Sequence, residues 1–262
     1  MRTLFILGAG ASFGSGECWP YASPLGKNLY DELCKYSGDF ARETSKFAST
    51  FRVNFEKGMI DLASEGSYFI PYITTTMAHY FYNFNPLPNN LYASLITKAL
   101  SLKHEYAFST LNYDLLLERS AGHVGVGVTY GNSMIRNKTI RVIKPNCSCN
   151  TVPQATGMQF IGNVFQGFEI PFNVPMRYSF DNNQVEAFLY SHDQQSPAMC
   201  FYAPKKPVMF GRNLIEEHHE VFARCVIDAE QIVIIGVAVD EDDEHIWGLL
   251  SKCESSIIYF GR

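Results

Sequence analysis

Two rhythms alternate along this chain. Short apolar runs stop at glycine or polar turns, and between them lie stretches with apolar positions every three or four residues. Residues 4–7 (LFIL) form the first run and end at Gly8, the pattern of a central parallel strand. Ser23-Pro24 then offers a helix start, with serine as N-cap and proline at the first helical position. Leu25, Leu29 and Leu33 recur every four residues, so a helix is expected to about Tyr36. Residues 40–103 read as mainly helical, broken at Gly58, at Gly66 and over 86–90, and the aromatic stretch 72–84 is expected to pack across a sheet. Strands are expected at 106–110, 231–235 and 257–260, and helices at 113–121 and 214–226. A last helix would be capped by Asp240 and run to about Cys253. The β-prone runs 124–130 and 139–143 flank the turn Gly131-Asn132-Ser133, and 151–207 is an irregular, aromatic-rich insertion. Strands alternating with helices predict an α/β fold: a Rossmann-like three-layer sandwich around a mostly parallel sheet, in one domain over 1–262.

Composition narrows the function. The 262 residues are 47% hydrophobic, ample for a large core. A net charge of −5 without any lysine or arginine run argues against direct nucleic-acid binding. The apolar N-terminal stretch is too short for a signal peptide, and no run approaches the ~20 residues that span a bilayer. A cytoplasmic location with no membrane partner is therefore expected. The seven cysteines are odd in number and contain no C-x-x-C pair. Cys147-Ser148-Cys149 has poor spacing for tetrahedral zinc, so no metal and reduced thiols are expected.

The strongest local signal is Gly8-Ala9-Gly10-Ala11-Ser12 directly after the first strand. Glycines there permit a tight turn and close approach of the backbone to a diphosphate, which amides hold without a basic side chain. Phe13 stands where a strict G-x-G-x-x-G has its last glycine, and the lysine of a P-loop is missing, which disfavours an ATPase. Read alone, a plain strand-to-helix turn also accounts for the segment. A second polar group, Ser109-Thr110-Leu111-Asn112-Tyr113-Asp114, lies where a buried strand meets a helix, the place where open α/β sheets bind ligands. Its bland account is local: Asn112 as helix cap and Asp114 as a first-turn acid.

Together these segments resemble the sirtuin-like family (silent-information-regulator type). GAGAS at 8–12 matches its phosphate loop, Pro24-Leu25-Gly26 the segment leading to its next helix, and TLNYD at 110–114 its T-x-N-φ-D motif. Gly236 with Asp243-Glu244-His245-Ile246 is similar to the late strand–loop–helix at the adenosine end. The resemblance implies NAD⁺ or an ADP-ribose nucleotide as ligand. Its contacts would be Gly8, Ala9, Gly10, Ala11, Ser12, Pro24, Leu25, Thr110, Asn112, Asp114 and Gly236. For this geometry Ser12 has to lie beside Asn112. The zinc ribbon of the protein deacylases is missing, so deacylation is not expected, and the chain resembles the bacterial defence-type branch, whose members hydrolyse NAD⁺. The resemblance also implies control by a partner protein or by homo-oligomerisation.

One departure matters. Where the family has K-φ-H-G-S, this chain reads Lys144-Pro145-Asn146-Cys147-Ser148. Asn146 cannot take a proton at neutral pH, and a positioned general base contributes ~10²–10⁴-fold, about 3–5 kcal/mol. Asn112, Asp114 and Asn146 are thus the candidate catalytic groups of a weakened NAD⁺ glycohydrolase; the alternative is a non-catalytic sensor of the same nucleotide. A hydride-transfer dehydrogenase ranks last, since no Tyr-x-x-x-Lys follows a suitable strand. The histidines read as surface or packed residues, His218 and His219 on an exposed helix, with His192 as the best outside candidate for a base.

Overall fold

The computed structural model describes residues 2–64, 70–134, 137–154, 174–191, 196–200, 210–239 and 244–261. In chain order its strands are β1 (Arg2–Leu7), β2 (Cys18–Trp19), β3 (Asn85–Pro86), β4 (Glu105–Thr110), β5 (Gly127–Tyr130), β6 (Thr139–Ile143), β7 (Thr151–Pro153), β8 (Met176–Tyr178), β9 (Gln231–Ile235) and β10 (Ser256–Phe260). The helices are α1 (Ala9–Phe13), α2 (Gly26–Tyr36), α3 (Gly38–Thr44), α4 (Ala48–Val53), α5 (Phe55–Ser64), α6 (Ile70–Tyr82), α7 (Leu91–Leu100), α8 (Leu116–His123), α9 (Asn182–Leu189), α10 (Arg212–Asp228) and α11 (Glu244–Leu250).

Six strands form one sheet in the order β10-β9-β1-β4-β6-β5, and each pairing is parallel. The strands after β1 build one side of it, and the chain then crosses back to place β9 and β10 on the other. Parallel strands need both faces covered, and β1 shows how this is done. Phe5 and Leu7 join the core under the helices between β1 and β5, whereas Leu4 and Ile6 face Val221, Phe222 and Val226 of α10 and Ile246 and Leu250 of α11. The result is the expected Rossmann-like three-layer α/β fold. From the aromatic stretch, Ile73, Met77, Tyr80 and Phe81 of α6 are buried in the core that Phe5 and Leu7 join. β10, at the free edge, is exposed along its whole length.

Register decides where chemistry can gather. Leu7 lies opposite both Thr110 and Ile235, so β1, β4 and β9 end level. Gly8, Leu111 and Gly236 therefore leave the sheet side by side, at the reversal of strand order where open α/β sheets offer a crevice.

Several expected boundaries shift. α2 begins at Gly26 with Leu25 at the N-cap, not at Ser23-Pro24, because the Ser23 hydroxyl turns inward to Asp114. α8 begins at Leu116, so Asn112 is not its cap; the Asp114 carboxylate instead accepts from the Leu116 N–H. The run at 124–130 pairs only from Gly127. The stretch 151–207 is less irregular than expected where it is described, since it holds the antiparallel β7–β8 pair and α9, capped by Asp181. Gly66, Asp240 and the remainder of that stretch lie outside the described residues. No helix among the described residues is long and apolar enough to cross a membrane.

The first loop and Gly236 interlock. Gly236 has φ +63°, and a Cβ there would collide with the Ala11 N and Gly10 backbone. A Cβ on Gly8 would lie 2.5 Å from the Gly236 carbonyl oxygen, and one on Gly10 2.9 Å from it. Gly236→Ala is expected to destabilise the fold by at least the ~1–3 kcal/mol of left-handed strain. Gly26→Ala, whose Cβ meets nothing within 4 Å, serves as control. Equal urea-unfolding stability for the two variants would contradict the interlock.

Candidate functional site

Asn112 joins the two motifs. The backbone leaves β4 at Thr110, whose hydroxyl accepts from the Asn112 N–H at 3.2 Å and turns the side chain back toward β1. The carboxamide nitrogen then donates to the Gly8 carbonyl oxygen and to the Ser12 hydroxyl oxygen, both at 2.8 Å. Ser12 and Asn112 are thus in direct contact although 100 residues apart in sequence. Both amide hydrogens are committed, which leaves the Asn112 carbonyl oxygen to accept from a ligand.

The loop amides are less free than the sequence suggests. Gly8 N–H donates to the Ile235 carbonyl oxygen at 3.0 Å and Gly10 N–H to that of Gly236 at 2.8 Å. Ala11 N–H turns back to the Gly8 oxygen at 2.9 Å. In this conformation the glycines make room for the Gly236 backbone. Among the described residues only the exposed Ala9 offers a loop N–H from 8 to 12 without a backbone acceptor. Pro24 follows the buried Ser23 and lines an open cavity of about 280 Å³ with Phe13, Tyr21, Ala22, Asn28 and Glu32; Leu25 is half-buried beside it.

Asp114 is 4% exposed. One carboxylate oxygen accepts from the Leu116 N–H at 3.1 Å and the other from the Ser23 hydroxyl at 3.4 Å. Burial pushes its pKa above the usual carboxylate value, against the pull of the Lys144 ammonium and of hydrogen bonds from the Leu116 N–H and the Ser12 hydroxyl.

The segment after β6 braces this loop. Lys144 Nζ donates to the Asp114 carbonyl oxygen at 2.7 Å, Asn146 Nδ2 to that of Leu111 at 3.1 Å and Ser148 Oγ to that of Tyr113 at 3.0 Å. Lys144 is fully buried and pairs with Glu118 at 2.9 Å, which also accepts from the Tyr130 hydroxyl at 2.9 Å. Removing one member of such a buried pair typically costs about 3–5 kcal/mol, because the other charge is left unpaired. Cys147 has φ +55°, a left-handed backbone conformation that favours glycine.

Among the described residues no histidine joins the site. His218 is buried, which corrects its expected exposure: α10 packs it against the end of β6, where its Nδ1 accepts from the Lys144 N–H at 2.8 Å. Burial, with the Lys144 and His219 charges, lowers its pKa to about 3, so it stays neutral. His192 lies outside the described residues. Burial raises the Cys147 and Cys149 thiols to about 12 and keeps them protonated. Among the described residues no group of three His, Cys, Asp or Glu side chains is placed to hold a metal ion. Glu118, Tyr130, Ser23 and Tyr92 escape sequence reasoning, since each reaches the site through tertiary packing and none sits in a motif.

No family model matches the chain, and no curated protein does. Among solved structures, a Sir2 homologue described as a mutant in complex with ADP-ribose aligns with a TM-score of 0.45 and 14% identity, over 98% of this chain and 79% of the other. Sir2 bound to acetylated peptide gives 0.44 and 14% over the same shares. Sir2 in complex with an inhibitor, 2′-O-acetyl-ADP-ribose and a deacetylated peptide gives 0.45 and 13%, over 98% and 80%.

The raised Asp114 carboxyl has a consequence for stability. Folding favours the neutral acid, so its contribution is fully present below the ordinary carboxylate value of 3.8 and is lost as pH rises through the raised one. Asp114→Asn carries no charge at any pH. Relative to the unchanged protein it should be more stable at pH 7 than at pH 4 in urea unfolding, and a difference independent of pH would contradict the assignment.

Proposed function

We propose that this chain is an NAD⁺-binding protein of sirtuin-like type, with its ligand at the level ends of β1, β4 and β9. In this reading it is a weakened NAD⁺ glycohydrolase of an antiphage-defence kind. The observation that carries the reading is the Asn112 carboxamide bridging Gly8 and Ser12. Two motifs that resemble one family meet at hydrogen-bonding distance in the crevice of the sheet. One feature of the loop suits an anionic ligand: Ala9 is exposed and, among the described residues, its N–H has no backbone acceptor. Gly236 lies against the same loop for the adenosine end. Pro24, Leu25 and Thr110 flank the other end.

Hydrolysis breaks the bond between the nicotinamide nitrogen and the ribose. Nicotinamide leaves with the electron pair, water forms the new C–O bond, and its proton is released. Such glycosyl transfer passes through an oxocarbenium-like state. The Asn112 oxygen can accept from the attacking water or a ribose hydroxyl, and the Asp114 carboxylate, when ionised, offsets positive charge on the ribose. Asn146 supplies only hydrogen bonds, and the loss of a base there sets the expected weakness.

A second reading is favoured by Asn146 itself. Its amide is tied to the Leu111 carbonyl oxygen, an arrangement that keeps the pocket shaped but supplies no proton acceptor. The chain would then sense NAD⁺ or an ADP-ribose nucleotide without turnover. In either reading control would come from a partner protein or from homo-oligomer formation.

Nicotinamide release from NAD⁺ separates the readings. Slow release is expected, lost on Asn112→Ala and raised ~10–100-fold by Asn146→His, within the range of a positioned base. Saturable binding without release in any variant would support the sensor, and no binding at millimolar NAD⁺ would contradict both.

A further inference from the structure

The two edges of the six-stranded sheet are protected unequally. β5, at one end, buries Thr129 and Tyr130. β10, at the other, is exposed at every position and reads Ser256-Ile257-Ile258-Tyr259-Phe260. Its large apolar side chains are exposed by 44% at Ile257, 39% at Ile258, 41% at Tyr259 and 57% at Phe260. The strand holds no charged residue and no proline, the devices that ordinarily keep a sheet edge from pairing.

The backbone shows which groups face that edge. Ser256 N–H donates to the Glu230 carbonyl oxygen at 3.0 Å, and the Phe260 carbonyl oxygen accepts from the Gly236 N–H at 2.8 Å. In a parallel ladder alternate residues bond the same neighbour. Ser256, Ile258 and Phe260 therefore face β9, and Ile257 and Tyr259 aim their N–H and C=O groups off the sheet. An incoming strand has to match that alternation. A second β10 running antiparallel does so about a two-fold axis at Ile258. Ile257 of each copy then faces Tyr259 of the other as a hydrogen-bonded pair that exchanges both N–H···O bonds, and Ile258 faces its symmetry mate as a non-hydrogen-bonded pair. Aromatic and β-branched side chains make favourable cross-strand pairs, and no like charges meet.

We propose that β10 is a homodimer interface: two copies of this chain pair edge to edge, antiparallel about Ile258, and join their sheets into one. Area sets the strength. A pairing confined to one five-residue strand falls below the ~1,200 Å² of stable specific interfaces, so the dimer is weak, half assembled at roughly tens to hundreds of micromolar. The net charge of −5 on each chain opposes the encounter, and added salt should strengthen it. β10 lies beside β9, whose end leads into Gly236 at the proposed ligand site. The pairing needs no ligand, however, and stands or falls apart from the NAD⁺ reading.

Sedimentation equilibrium at up to about 500 μM is the test, and the mass should rise from 29.6 kDa toward twice that value, more so in higher salt. Ile258→Lys sets like charges against each other at the axis and should raise the dissociation constant at least about tenfold. Ile257→Pro removes only an N–H that faces the edge, a change edge strands tolerate, and should weaken the dimer as well. Should either variant fail to fold by circular dichroism, Ile258→Cys reads the register directly. Under oxidised glutathione it should link two copies through position 258, because non-hydrogen-bonded pairs hold their Cα atoms ~4.5 Å apart. Peptide mapping separates that link from any through the native cysteines. A chain that stays monomeric at every concentration would leave the edge to a different protein and overturn the proposal. A dimer of unaltered strength in folded Ile258→Lys would place the contact on another surface and overturn it too. Dimers lost in Ile258→Lys but kept in Ile257→Pro, or no link through position 258, would overturn the antiparallel pairing.

Discussion

One carboxamide holds the candidate site together. Asn112 can reach Gly8 and Ser12 only because β1 and β4 are parallel neighbours that end level, with Leu7 opposite Thr110. Parallel pairing of buried strands thus does two things: it closes the core on both faces, and it brings two polar turns together that are distant in sequence. The third turn, at Gly236, enters by the same register from β9, and there the absence of side chains on Gly8 and Gly10 is what lets two backbones cross.

Behind this bridge lies a layer of fixed polar contacts. The side chains of Lys144, Asn146 and Ser148 each take one carbonyl oxygen of the 111–114 turn. An irregular turn cannot satisfy its own carbonyls as a helix would, and buried polar groups left unpaired are costly. The K-P-N-C-S segment is therefore a brace for the turn whatever its part in chemistry. Asn146 serves that brace by donating to the Leu111 carbonyl oxygen, a role that asks for a donor and not for a proton acceptor.

Much of this was legible in the sequence, for identifiable reasons. Residues 4–7, 106–110 and 231–235 announce buried parallel strands because both faces need apolar residues, and the glycine loop announces a close backbone approach. What approaches Gly8 and Gly10 in the structure is the Gly236 backbone, which local sequence cannot distinguish from a ligand. The helix starts were misplaced at Ser23 and Tyr113 because both polar groups that looked like caps point into the site, to Asp114 and to the glycine loop. His218 read as exposed because α10 is polar on average, and its partner, the Lys144 N–H, is 74 residues away. Tyr92 and Glu118 had no local signal at all, for their contacts with Ser12 and Lys144 exist only once α7 and α8 are docked.

We propose that an NAD⁺-type ligand sits at the bridged turn at the end of the sheet. The most direct measurement is amide-resolved NMR during titration with NAD⁺ and, separately, ADP-ribose. Saturable shifts confined to Ala9, Ser12, Asn112, Asp114 and Gly236 are the expected result. Saturation that leaves Ala9 and Asn112 unmoved while shifting amides elsewhere would contradict it.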